Sequence, residues 1–203
     1  MSEQNLLWLA RMIGIVGLGL LILSSVGGVV MSSKVAAQVG RRFPRLQGKR
    51  IFNNHRLFSL VGAALFVLHP IPILFARKTT GGLNLTNVLV PFTASQQTLL
   101  TGLGTLAFYA LLIVTITSLL FKRMKFDKWR VLHYGTYVFL VLGLVHSLFI
   151  SAEYRVEKEL LDLEEPEKAV LFGMACISVL FPLWRVLAAR RQQSNKLTRQ
   201  QGS

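Results

Sequence analysis

IFNNHRLFSLVGAALFVLHPIPILF, residues 51–75, is apolar over a length that crosses a bilayer, yet it carries two histidines, His55 and His69. A helix needs about 20 consecutive apolar residues to span a hydrocarbon core of about 30 Å. A second run, VLHYGTYVFLVLGLVHSLFIS at 131–151, has the same character and holds His133 and His146. The chain contains no other histidine. Ionisable side chains inside membrane spans are costly, and each is by default a functional hypothesis.

Working outward, three further apolar runs of spanning length cover about 6–31, 98–121 and 168–188. Hydrophobic residues make up 52% of the 203 and charged residues 16%, with the charges clustered between the runs. The expected fold is all-α: a polytopic membrane bundle of about five transmembrane helices. The first run does not read as a cleaved signal peptide, because its first ten residues hold Glu3 and no lysine or arginine, and it is too long. Residues 1–50 read as the first span with a basic loop, 51–188 as the main transmembrane domain, and 189–203 as a basic tail. From Gln192 that tail is polar, and disorder is expected there.

The net charge of +14 invites a nucleic-acid reading, but little chain remains for the soluble fold that carries such a patch. No nucleic-acid partner is expected. Basic residues instead follow the positive-inside rule. Lys34, Arg41, Arg42, Arg45, Lys49 and Arg50 follow span one; Lys122, Arg123, Lys125, Lys128 and Arg130 follow span three; Arg190, Arg191, Lys196 and Arg199 follow span five. The loop after span four is instead acidic, with Glu153, Glu157, Glu159, Asp162, Glu164, Glu165 and Glu167. The N-terminus is therefore expected outside and the C-terminus in the cytoplasm, with the cell (inner) membrane as the location. Cys176 is the single cysteine, which leaves no disulfide or Cys-x-x-Cys pair.

His55 and His69 are 14 residues apart, about 21 Å of helix, and His133 and His146 are 13 apart, about 19.5 Å. One span separates the two helices, so they run in the same direction. That places His55 beside His133 near the cytoplasmic side and His69 beside His146 toward the outside. Two imidazoles facing each other between helices suit the axial positions of a b-type haem. Zinc or copper prefers three or four ligands with sulfur or carboxylate help, which these depths lack. Two haems b are expected, with all four histidines as iron ligands. Anionic propionates would seek Arg56, Lys128 or Arg130 inside and Arg77 or Lys78 outside. Pro70 and Pro72 suggest that span two kinks or ends just after His69. The helical phase fits less well: 14 residues return about 40° short of a full set of turns, whereas 13 fall about 140° short. Gly135 and Gly143 mark places where winding could change.

Paired histidines at these spacings, within His55-Arg56-Leu57 to His69-Pro70 and Lys128-Trp129-Arg130-Val131-Leu132-His133-Tyr134 to His146, resemble the ferric reductase transmembrane domain family. That family includes the membrane portions of NADPH oxidases, ferric reductases and the haem-binding subunit of a bacterial methionine sulfoxide reductase system. The resemblance covers about 51–188. It implies an oxidoreductase in which His55 and His133 ligate an inner haem, His69 and His146 an outer one, and single electrons pass outward. Relatives usually continue into a flavin and NADPH domain. Gly14, Gly17 and Gly19 lie in a span and form no dinucleotide fingerprint. The tail has no room for such a domain, so the expected donor is a separate flavoprotein reductase or quinol. The expected external acceptor is ferric iron, oxygen or a partner protein. With both axial positions filled, no residue is expected to act as a catalytic group. The competing readings are a quinol-oxidising haem subunit of a periplasmic reductase and a non-redox membrane transporter or assembly protein.

Overall fold

A computed structural model of the chain describes residues 2–31, 48–150 and 166–201, and among these every regular element is a helix. In order they are α1 (Glu3–Met31), α2 (Gly48–Leu68), α3 (Pro70–Phe75), α4 (Leu85–Leu89), α5 (Thr98–Leu119), a 3₁₀ turn (Phe121–Arg123), α6 (Phe126–His133), α7 (Gly135–Phe149) and α8 (Pro166–Gln201). Lys34, Arg41, Arg42 and Arg45, and the acidic residues from Glu153 to Glu165, lie outside the described residues.

Among the described residues four helical stretches are long and apolar enough to cross a membrane: Glu3–Met31, Gly48–Phe75, Thr98–Leu119 and Phe126–Phe149. They coincide with the first four expected spans. The fifth expected span falls within α8 and is not one of these four. The outer surface has the character of a lipid-facing one, with Leu23, Val61, Ile113 and Val141 all exposed. In water so much open apolar surface would drive aggregation.

Two antiparallel hairpins organise the bundle: α1 packs along α2–α3, and α5 packs along α6–α7. Small residues let the first pair close up. A Cβ on Gly62 would stand 2.7 Å from Leu21 Cγ and 3.1 Å from the carbonyl of Gly17. At the open end of this hairpin, Glu3 accepts hydrogen bonds from the backbone N–H (2.9 Å) and hydroxyl (2.8 Å) of Thr79. Leu18, Leu21 and Ile22 of α1 meet Ala107 and Leu111 of α5, Phe139, Leu140 and Leu144 of α7, and Leu171 of α8 in one buried cluster.

Both histidine-bearing spans are interrupted helices. The first lapses for one residue at His69, whose φ of −52° and ψ of −45° stay helical. Pro70 lacks the N–H that would continue the ladder, so α3 opens on the proline. Span two therefore does not end at His69 but runs on to Phe75. The second breaks at Tyr134, between α6 and α7, where Tyr134 N–H is shared between the carbonyls of Arg130 and Val131 (both 3.2 Å) and Tyr137 N–H reaches that of Tyr134 (3.0 Å). These i→i+3 bonds are tighter than α-helical ones. At the C-terminus the expected disorder is corrected: α8 stays helical through Gln201. Arg, Gln and Lys dominate that stretch, and straight-chain residues of this kind have good helix propensity.

Candidate functional site: two histidine pairs

The two hairpins bring the four histidines together as two pairs. The ring centres of His55 and His133 are 6.2 Å apart and those of His69 and His146 are 6.3 Å apart, with ring planes crossed at 69° and 90°. The helices that carry them hardly approach one another along their backbones. The rings therefore face across a gap, and between the two levels a side-chain contact crosses it. Phe66 of α2 meets Phe139 of α7 edge to face, with centroids 5.1 Å apart. Beside the second histidine pair a half-open cavity is lined by Leu7, Arg11, Gly14, His69, Ile73 and His146, among others.

Each imidazole is fixed through its Nδ1. His69 Nδ1 lies 2.8 Å from the carbonyl oxygen of Ala10, and His146 Nδ1 lies 2.8 Å from that of Leu100. His55 Nδ1 is 2.8 Å from both the carbonyl oxygen and the hydroxyl of Ser24. His133 Nδ1 is 3.3 Å from the hydroxyl of Ser118, and its ring stacks on Trp129 at 4.8 Å. A proton held on Nδ1 by an acceptor leaves the Nε2 lone pair as the ligating one, the usual arrangement of a metal-bound histidine. The anchoring helices α1 and α5 also make room for the rings. A Cβ on Gly14 would stand 3.0 Å from His69 Nδ1, one on Gly28 3.4 Å from His55 Cε1, and one on Gly104 2.7 Å from His146 Nδ1.

These distances test the fit of a haem. A metal–imidazole bond is about 2 Å and the nitrogen lies about 1 Å from the ring centre, so two imidazoles on opposite faces of one metal stand about 6 Å apart. Both pairs meet that spacing. Among the described residues no three or more His, Cys, Asp or Glu side chains gather to hold a metal ion. A metal that demands three protein ligands thus finds no cage there. The buried indole N–H of Trp129, beside His133, has no hydrogen-bond partner. Such a donor suits the carboxylate of a bound group.

The proposed propionate partners are less defined. Arg56, Arg77, Lys78 and Lys128 are exposed, and Arg130 lies 3.5 Å from Asp127 and over the ring of Phe126. Sequence reasoning missed Arg11, a cation well inside the first span and on the wall of the cavity. Its position in an apolar run was the available signal. It also missed the Nδ1 acceptors, three of which are backbone carbonyls that no side chain advertises.

Among the described residues the chain is a helical membrane bundle with two internal histidine pairs. Residues 13–144 match the model of the ferric reductase like transmembrane component family, and the chain belongs to that family. No curated protein and no solved structure matches it significantly. Membership makes the chain a multi-pass oxidoreductase component of a family concerned with transmembrane electron transfer, whose members generally bind haem. The match starts within α1, the helix that anchors His55 and His69, which histidine spacing alone leaves out.

Proposed function

We propose that this chain carries single electrons across the membrane by means of two haems b, one held by His55 and His133 and the other by His69 and His146. The observation that supports it is the pair of imidazole–imidazole spacings, 6.2 and 6.3 Å, each with Nδ1 engaged and Nε2 left to ligate. A haem held by two of these imidazoles would supply reversible one-electron chemistry. The protein's part is to fix the four rings, to keep the two levels apart with Phe66 and Phe139, and to present cations to the carboxylates. Arg56 and Arg130 serve the His55–His133 level, joined by the Trp129 indole, and Arg11 serves the other.

Lys122, Arg123, Lys125, Lys128 and Arg130 lie at the His55–His133 end, so the positive-inside rule makes this the cytoplasmic level. On that reading α8 contributes the fifth span, the N-terminus is outside and the membrane is a cell (inner) membrane. The donor is a separate flavoprotein reductase or quinol on the inner side. The acceptor is ferric iron, oxygen or a partner protein on the outer side. The test is a reduced-minus-oxidised spectrum of the detergent-purified chain with haem counted per polypeptide. About two low-spin b haems are expected, with one lost in His69→Ala and the other in His133→Ala. A colourless protein made with ample haem would sink the proposal in favour of a non-redox membrane role.

A further inference from the structure

Three of the four histidines obey one local rule, and the fourth departs from it at a single residue. His69 bonds the carbonyl of Ala10 and packs on Gly14; His55 bonds that of Ser24 and packs on Gly28; His146 bonds that of Leu100 and packs on Gly104. In each case the glycine lies four residues after the acceptor. A helical carbonyl already receives the N–H of residue i+4, and the side chain of that residue stands beside it. Where the residue is glycine, a second donor reaches the oxygen's remaining lone pair.

For His133 the position of the glycine is taken by Ser118, four residues after Val114. Val114 borders this site, since a Cβ on Gly135 would stand 3.2 Å from its Cγ2. The imidazole stops at the serine hydroxyl, at 3.3 Å instead of 2.8 Å.

We propose that Ser118 is a positioning residue that sets the reduction potential of the haem at the His55–His133 pair through the acceptor it offers to His133. The inference rests on the haem reading above. A strong acceptor on Nδ1–H makes the imidazole more basic and favours ferric iron, whereas a weak one favours ferrous iron. The long bond to a hydroxyl makes His133 the least electron-rich of the four ligands.

The test is potentiometric titration of the full-length, haem-loaded chain, following both haems by their absorption bands. Ser118→Ala keeps the Cβ and removes the acceptor, so the potential of one haem rises. Ser118→Gly removes the Cβ as well and opens the carbonyl of Val114, where the Thr117 hydroxyl makes a 3.2 Å contact besides its shorter 2.7 Å bond to Ile113; His133 displaces that longer contact, so the potential of that same haem falls below wild type. Ser118→Thr keeps a hydroxyl and stays near wild type. The second haem does not move in any of the three. Opposite signs for alanine and glycine support the proposal, because a role in packing alone would move both variants the same way. Shifts of one sign, or no shift in a haem-loaded protein, overturn the inference and leave the haem reading standing. A wild-type chain without haem overturns both. If Ser118→Ala releases the haem, Ser118→Gly against wild type still gives the deciding sign.

Discussion

On the proposed haem reading, adding one methyl group at Gly104 should weaken haem binding at the His69–His146 pair. The new Cβ would stand 2.7 Å from His146 Nδ1 and 2.8 Å from Cε1. Ordinary contacts between non-bonded heavy atoms are about 3.5–4.0 Å, so the ring must retreat by about 1 Å. That breaks the 2.8 Å bond to the carbonyl of Leu100 and turns Nε2 away from its partner. Leaving a buried donor unsatisfied costs about 1–3 kcal/mol. In affinity this is roughly 5- to 150-fold weaker haem binding, in line with the losses of about 10–100-fold seen when groups supporting metal ligands are removed. Helix propensity acts in the opposite sense, since alanine is better than glycine in a helix interior by about 0.8–1 kcal/mol. If Gly104 were only a packing residue on a membrane helix, alanine would be neutral or mildly stabilising. The same reasoning ranks the other two glycines. Gly14, with its Cβ at 3.0 Å, should show a smaller loss, and Gly28, at 3.4 Å, almost none. The assay is the rate of haem transfer from each purified variant to excess apomyoglobin, with haem per polypeptide measured beforehand. Equal transfer rates in the Gly104 and Gly28 variants would refute the notch account.

Three further outcomes follow from the same geometry. Phe139 is fully buried against Phe66, so Phe139→Ala should destabilise the bundle by about 3–5 kcal/mol; thermal unfolding in detergent should show both haems released at lower temperature, and release of only one would argue against a shared divider. The imidazole planes cross at 69° and 90°, so low-temperature electron paramagnetic resonance of the ferric protein should give two strongly anisotropic low-spin signals, whereas rhombic signals typical of parallel planes would contradict the crossed arrangement. Trp129→Phe keeps the stacking on His133 and removes the unpaired indole N–H. It should weaken haem retention at the His55–His133 pair by roughly 10- to 150-fold, the worth of about 1.5–3 kcal/mol for a hydrogen bond to a charged group, with haem transfer again the measure.

The membrane architecture was legible because it depends on long apolar runs, and the histidines stood out because they interrupt two of them. What the sequence hides is the support. His69 leans on the backbone of Ala10 and His146 on that of Leu100, and any residue type provides a carbonyl. Gly28 reads as an ordinary packing glycine until the His55 ring is seen lying against it. Nor does the sequence show an internal repeat, yet α1 with α2–α3 and α5 with α6–α7 use one plan: an anchoring helix without histidines followed by an antiparallel helix with two. The likeness lies in backbone register, with too few shared side chains for a repeat to register by eye.

That register also explains the unequal histidine spacings. On α1 the acceptors Ala10 and Ser24 are 14 residues apart, as are Gly14 and Gly28, and the antiparallel partners His69 and His55 match them. On α5 the supports Gly104 and Ser118 are again 14 apart, but His146 and His133 are separated by only 13 residues. An unbroken α-helix would leave these histidines about 1.5 Å too close and, relative to span two, about 100° out of phase. The i→i+3 bonds at Tyr134 and Tyr137 act on both errors. A 3₁₀ residue rises about 0.5 Å more and turns about 20° more than an α-helical one, so each residue tightened in this way shifts both length and phase in the required direction. The break between α6 and α7 thus works toward the register in which a span one residue short still meets both histidines of the other, at 6.2 and 6.3 Å.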